Sequence, residues 1–357
     1  MRQVGRPLTI EDVEIDRPRP FEVLVEVAAT GLCHSDLRFL EGSFSHPLPT
    51  VLGHEVAGVV TEIGAEVTAV RPGDHVVMSI SVSCGECAQC AAGRTHLCLD
   101  KEHTRRPPDQ PQRLSVGGLP VNQFLDLSGF AEEVLVHESA VVGIDTEIPF
   151  HHAALLGCGV ATGLGAALNT AKVEEGDTVA VIGCGGVGLS AIQGARIAGA
   201  ARIIAVDPLA SRLDLAHRLG ATDVVDATHT DPLAEVSGLL AGIGVDHVIE
   251  AVGRVETIEQ GFAMTRRGGT VTVVGLVPEG SSVTVPTDEL FYERKLQGSV
   301  MGSNDFKVDV PRYIEMYRDR RLDLAHMITE RIRLDEINEG FESMVAGRSP
   351  RIVVEFG

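Results

Sequence analysis

The sequence predicts an α/β protein built from a doubly wound parallel sheet and a second, β-rich domain, and three features of its texture predict it. From Asp177 onward, short apolar stretches alternate with helical ones; before that point Val-rich runs punctuated by glycine dominate; after Met301 the alternation stops. With 357 residues the chain is too long for one ordinary core and long enough for two.

In the first third, Phe21 to Val27 and Glu55 to Ile63 read as short strands. Asp100 to Asn122, rich in Pro, Arg and Gln, reads as a long surface loop. Thr178 to Ile182, Arg202 to Val206, Asp246 to Ile249 and Thr270 to Val274 then read as buried strands, with helices at Val187 to Ala198 and Ser211 to Leu219. Strand, helix and strand in repetition call for a parallel sheet. The tail carries helical patterns at Val310 to Arg320 and Leu334 to Val345 and a last strand at Arg351 to Glu355. We therefore expect one domain over residues 1–159, resumed over 302–357, with the parallel-sheet domain over 160–301 between and the active site in the cleft. There is no internal repeat and no low-complexity tract.

Hydrophobic residues make up 44% of the chain and charged residues 22%, the balance of a globular protein and not of a disordered one. The formal net charge of −20 opposes attraction to nucleic acid or to an anionic membrane, which leaves small-molecule chemistry. Met1 to Val13 has scattered charge and no apolar core, unlike a signal peptide, and no apolar run approaches the roughly 20 residues of a membrane span. A cytoplasmic location is expected. Four of the seven cysteines crowd between Cys84 and Cys98, which without an export signal reads as metal binding before disulfides.

Gly183-x-Gly185-x-x-Gly188 follows the apolar strand Thr178 to Ile182 and opens a helix, within the segment Gly183, Cys184, Gly185, Gly186, Val187, Gly188. The first glycine permits a tight turn, the second lets the backbone approach a pyrophosphate, and the third allows close helix packing, while the helix N-terminus attracts the phosphate. Asp207 closes the next strand, placed to accept the hydroxyls of an adenosine ribose and to repel a 2′-phosphate. This is a Rossmann-type site for NAD in preference to NADP, with Arg212 nearby as the one feature pulling the other way.

Cys84, Cys87, Cys90 and Cys98 stand in the spacing Cys-x2-Cys-x2-Cys-x7-Cys, with Gly85 and Gly93 letting the loop fold back. Four thiolates satisfy tetrahedral zinc completely and leave no position for a substrate, so a zinc here would be structural. Ligand type alone also fits an iron–sulfur cluster.

Taken singly, Cys33, His54 and Cys158 could be packed core residues. The strings Gly31-Leu-Cys33-His34-Ser35-Asp36, Gly53-His54-Glu55 and Gly157-Cys158-Gly159, in that order before the glycine-rich turn, resemble the zinc-containing alcohol dehydrogenases of the medium-chain dehydrogenase/reductase family. The resemblance covers essentially the whole chain, including the four-cysteine loop. It implies a GroES-like catalytic domain beside the Rossmann domain, and a catalytic zinc on Cys33, His54 and Cys158 that leaves a fourth position for water or alcohol. Two zinc ions per subunit follow.

The resemblance also makes Ser35 the hydroxyl that passes a proton from substrate to the coenzyme ribose, sets Asp36 and Glu55 behind the zinc, turns His34 toward the coenzyme pyrophosphate, and adds Arg351 to the coenzyme-binding residues. Many members carry a histidine three residues after the relay hydroxyl; this chain has Arg38, which does not release its proton at working pH. Water or His34 then has to take that step.

Phe44, Ile80 and Leu276 match pocket-lining positions and are apolar, which points to a medium aliphatic or aromatic alcohol. A thiol-adduct formaldehyde dehydrogenase would use the same zinc and coenzyme, and so would a nicotinoprotein that never releases NAD. A non-catalytic dinucleotide-binding protein would lack the three ligands. A homodimer is expected from the resemblance.

Overall fold

The computed structural model describes all residues, Met1–Gly357, which fold into two compact units.

The first unit comprises Met1–Cys158, Asp305–Glu315 and Ile328–Gly357. Its main sheet runs in the order Glu330–Ile332, Ile352–Glu355, Glu22–Gly31, Glu55–Ile63, His75–Met78 and Val141–Ile144, with Glu133–His137 also paired to Glu22–Gly31. All these pairs are antiparallel except the first. Alternation along the strands turns Val23, Val25 and Val27 inward onto Val56, Val60, Val76, Val134 and Val136, which is the period-2 burial that β-branched residues favour. Strand Glu22–Gly31 shifts register twice along Glu55–Ile63, and its end delivers Cys33.

The stretch Asp100 to Asn122 is not the irregular surface loop that its composition suggests. Leu114–Val116 and Leu119–Gln123 form a hairpin in a four-stranded sheet with Glu14–Ile15 and Thr50–Val51. Gly117 and Gly118 turn it with φ of +56° and +77°, the conformation that a two-residue hairpin turn requires. Two buried arginines anchor it: Arg106 and Arg113 each donate through Nε to Glu22 Oε1, at 2.9 and 2.7 Å. These ion pairs and backbone contacts hold the Glu22 carboxyl down at about 2 although burial alone would raise it.

The second unit comprises Gly159–Asn304 and Met316–Met327. Six parallel strands lie in the order Asp223–Asp226, Arg202–Asp207, Thr178–Ile182, Val245–Glu250, Thr265–Val273 and Lys295–Gly298. The order reverses beside Thr178–Ile182, the switch point at which open parallel sheets bind ligands. Helices Gly186–Ala198, Ala210–Leu219, Pro232–Leu239 and Val255–Met264 cover the sheet. Ala180, Ile182, Ile204, Val206, Val248 and Val271 form its core with Phe262.

Met316–Met327 folds with this second unit although it stands in the tail, whose whole length the sequence assigns to the first domain. The cause is a polar one: buried Gln193 accepts Asp323 N–H at 2.7 Å and donates to the Asp323 carbonyl at 3.0 Å, while Leu322, Leu324 and Met327 are buried around it. No helix is long and apolar enough to cross a membrane.

Candidate active site and metal centres

Gly31 ends its strand against Glu55, so tightly that a Cβ there would lie 2.3 Å from Glu55 Oε2. Two residues later Cys33 becomes the N-cap of helix His34–Leu40, with its backbone extended and its sulfur accepting Ser35 N–H at 3.5 Å. Asp36 ties the site together. It is fully buried, accepts Cys33 N–H at 3.2 Å and Gly53 N–H at 3.0 Å, and meets His54 Nδ1 at 3.2 Å. Gly53 reaches this position at φ +95°, with Phe130 N only 2.5 Å from where a Cβ would sit, so only glycine fits before His54.

Cys158 arrives from another direction, after helix Phe150–Leu155, with Gly157 pressed onto the Met78 carbonyl. Ligand atoms of Cys33, His54, Glu55 and Cys158 all lie within 4.8 Å of one another, and all four residues are buried. His54 Nε2 is buried and makes no hydrogen bond, while Nδ1 is engaged by Asp36. An imidazole oriented by a carboxylate, with its other nitrogen bare beside two sulfurs, is the donor set of a metal ligand.

Charges in the cluster lean on one another. The Cys158 S–H donates to Cys33 and holds the Cys33 thiol well below its ordinary value, while the same contact and burial push Cys158 up. Burial works against a charged His54, but the Asp36 carboxylate outweighs it and raises the imidazole. Burial drives the Glu55 carboxyl up to about 7 against the pull of Arg351.

Arg351, expected at the coenzyme, also has partners within the first unit. Its guanidinium is buried and donates to Glu55 Oε1 at 2.9 Å and to the Leu32 carbonyl at 3.2 Å, because its neighbour Ile352 opens the strand that pairs beside Gly31. Ser35 is half-buried with its Oγ 3.5 Å from the Cys33 sulfur, and His34 is exposed beside it on the first helical turn. Sequence reasoning missed Phe124, which is fully buried and sets its ring edge-on to His54 with centroids 5.8 Å apart. Nothing in its local sequence marks it, since it reads as one more apolar residue. Phe44 stacks on Phe39, Ile80 packs on the first unit's core, and Leu276 is largely exposed in the second unit.

The second cluster is self-contained. Cys84, Cys87, Cys90 and Cys98 converge, with sulfur–sulfur distances of 3.9 Å for 84–90, 3.5 Å for 87–90 and 3.6 Å for 84–98. A tetrahedron of zinc–sulfur bonds of about 2.3 Å requires about 3.8 Å between sulfurs, so the cage has the right size. Backbone N–H groups of Cys84, Cys87 and Leu99 point at Cys98, Cys84 and Cys87 sulfurs and favour thiolates. The Leu99 contact leads those that bring the Cys87 thiol down to about 6, while burial pushes Cys90 up to about 12.

In the second unit the glycine-rich turn has the mechanics the spacing implies. Gly183 turns at φ +91°, and a Cβ on Gly188 would lie 1.8 Å from the Gly183 carbonyl oxygen. Gly185 caps helix Gly186–Ala198, with Val187 in its first turn. Asp207 ends strand Arg202–Asp207; its two oxygens accept Cys184 N–H at 2.8 Å and Leu209 N–H at 2.9 Å, with Arg212 Nη1 3.8 Å away. Cys184 thus serves through its backbone, and its buried thiol is pushed far up.

Two family models match the chain: the alcohol dehydrogenase GroES-like domain over residues 19–146 and the zinc-binding dehydrogenase over residues 186–316. The chain is similar to an S-(hydroxymethyl)glutathione dehydrogenase of Photobacterium damsela subsp. piscicida, at 38% identity over 99% of this chain and 97% of that one. Among solved structures it is similar to an alcohol dehydrogenase zinc-binding domain protein from Burkholderia ambifaria (34% identity, TM-score 0.94, covering 100% of this chain and 97% of that one). It is also similar to benzyl alcohol dehydrogenase from Acinetobacter calcoaceticus (33% identity, TM-score 0.91, covering 97% and 94%).

Proposed function

Because the chain belongs to the zinc-dependent alcohol dehydrogenases of the medium-chain dehydrogenase/reductase family, we propose that it reversibly oxidises an alcohol to an aldehyde or ketone with hydride transfer to NAD. We assign one zinc to Cys33, His54 and Cys158 and a second to Cys84, Cys87, Cys90 and Cys98. The observation that carries the reading is the bare, buried Nε2 of His54 beside two cysteine sulfurs. Zinc bound there would keep one position open and acidify a hydroxyl group held in it.

The chain's own residues supply the rest. Asp36 fixes the His54 ring, and Arg351 holds Glu55 behind the cluster. Ser35 takes the substrate proton and passes it toward the coenzyme ribose, and His34 offers a basic group to the pyrophosphate. Gly183, Gly185, Gly186, Val187 and Gly188 receive the pyrophosphate at the helix N-terminus, and Asp207 with Arg212 takes the adenosine ribose. NAD supplies the hydride acceptor.

A second reading rests on the 38% identical relative: the alcohol would be the hydroxymethyl adduct of a thiol. Initial rates with NAD across benzyl alcohol, aliphatic alcohols and S-(hydroxymethyl)glutathione separate the two. A preference for the adduct by orders of magnitude selects the second reading; no NAD reduction with any alcohol rejects both.

Asp207→Gly should raise the use of NADP relative to NAD by roughly tenfold or more, since a like charge facing a 2′-phosphate costs several kcal/mol. NAD affinity should fall as well, because Cys184 and Leu209 lose their acceptor. Coenzyme preference measured as a ratio of kcat/KM values checks this, and an unchanged ratio refutes the assignment.

Cys90→Ser should open the closed four-sulfur cage and lower the melting temperature by roughly 5–10 °C, the scale of a few kcal/mol in a domain of this size. Elemental analysis should then find one zinc lost while the remaining folded protein keeps its kcat. Loss of kcat at unchanged stability would contradict a structural role.

A further inference from the structure

Three residues near His54 hold a backbone conformation that side chains rarely adopt. Leu125, Asp126 and Ser128 have φ of +52°, +63° and +68°, with no glycine among them to relieve the strain. Such strain persists only where the surroundings over-determine it, and it gathers at functional sites.

What surrounds this segment is the metal-site loop. Phe124, immediately before it, lies edge-on to His54. Ser128 Oγ accepts Phe124 N–H at 2.9 Å and donates to the Val51 carbonyl at 2.8 Å. Directly after it, Gly129 N–H donates to Gly53 O at 2.7 Å and Phe130 N–H to Leu52 O at 2.9 Å. The carbonyls of Val51, Leu52 and Gly53 are thus all held by Ser128 and the two residues after it.

The segment is held in turn from the 100–122 excursion. Arg105 grips Asp126 with two parallel bonds, Nε to Oδ1 at 2.7 Å and Nη2 to Oδ2 at 2.9 Å. Exposed ion pairs usually contribute little, but a bidentate pair on a carboxylate only 14% exposed is the kind that does. Arg113, buried on Glu22, donates to Gln123 Oε1 at 2.9 Å just before Phe124, and Gln123 donates onward to the Leu135 carbonyl.

We propose that Leu125–Ser128 is a strained bracket that fixes His54 and Phe124, latched from the 100–122 excursion by Arg105 on Asp126. Arg105 and Asp126 are positioning residues, and they act through the loop that carries the metal ligand. The proposal rests on the assignment of zinc to Cys33, His54 and Cys158.

The test uses the full-length protein and three variants: Arg105→Ala, Arg105→Lys and Asp126→Asn, the last because asparagine tolerates the left-handed conformation and loses only the charge. Zinc release to a chelator, kcat and coenzyme KM are measured beside amide exchange at Gly53, Gly129 and Phe130. In Arg105→Ala one of the two zinc ions should leave roughly tenfold faster and kcat should fall roughly tenfold, the scale for losing a partner behind a metal ligand. Coenzyme KM and melting temperature should hardly move, the three amides should exchange faster, and Arg105→Lys should recover part of the loss. Wild-type zinc release, kcat and exchange in Arg105→Ala and Asp126→Asn overturn the bracket, as does a loss of activity fully matched by loss of folded protein. A wild-type protein without zinc at Cys33, His54 and Cys158 overturns the zinc assignment instead, and the amide exchange still judges the bracket.

Discussion

Cys158→Ser should leave a folded protein with one zinc instead of two and with turnover reduced by roughly 10³-fold or more, because a catalytic metal supplies several kcal/mol of transition-state stabilisation and each 1.36 kcal/mol is about tenfold in rate. The fold should survive because the neighbours of Cys158 in the cluster, Cys33 and His54, are fixed independently by Asp36. Serine keeps the shape of the side chain at a slightly smaller size and removes the soft donor. The checks are elemental analysis, melting temperature and the rate of NADH formation on one preparation. Retained turnover with a single zinc would remove a metal on Cys33, His54 and Cys158 from the reaction.

Ser35→Ala should cut alcohol oxidation by roughly 10²-fold or more, the usual scale for losing a positioned proton-transfer group. Zinc content and coenzyme binding should survive, since Ser35 supplies its backbone N–H, not its hydroxyl, to the capping contact with Cys33. Arg38 stands one helical turn on and cannot accept the proton, so Arg38→His should speed oxidation most below neutral pH, where an internal base replaces scarce hydroxide. The pH dependence of kcat in both variants, with a deuterated alcohol to confirm that hydride transfer is observed, decides it. Near-normal rates in Ser35→Ala would reduce the hydroxyl to a turn residue.

Some features of the fold and of the candidate sites are legible because their signals are local. The glycine-rich turn announces itself through spacing, and so does the four-cysteine loop, whose ligands lie within fifteen consecutive positions of the chain. The strands Thr178–Ile182 and Arg202–Asp207 are legible because burial on both faces demands unbroken apolar runs. Asp36 drew notice through the family resemblance, and its contact with Cys33 is local as well, since it follows Cys33 by three and the helix N-cap turns it back onto the cap.

What escaped depends on pairing across the chain. Arg106 and Arg113 look like loop residues until Glu22, more than eighty positions earlier, neutralises them inside the protein. Their abundance beside Pro and Gln hid a hairpin whose one local signal was Gly117-Gly118. Nothing local announces that Arg351 pairs with Glu55 and the Leu32 carbonyl, some three hundred residues away. The bracket at Leu125–Ser128 left little trace, because of the three residues in its left-handed conformation only Asp126 is of a type that favours it. Composition cannot report strain that tertiary contacts impose.

A titration of activity against zinc tests whether a metal on Cys33, His54 and Cys158 carries the reaction. Zinc is withdrawn stepwise by a chelator from protein holding two ions per subunit, and NAD reduction with a saturating alcohol is measured at each step, then again after zinc is returned. Turnover should fall in proportion to loss of one ion, Cys158→Ser should lack that ion from the start, and added zinc should restore the wild type alone. Full turnover after that ion has gone, or NAD reduction that persists in Cys158→Ser at the wild-type rate, would contradict it.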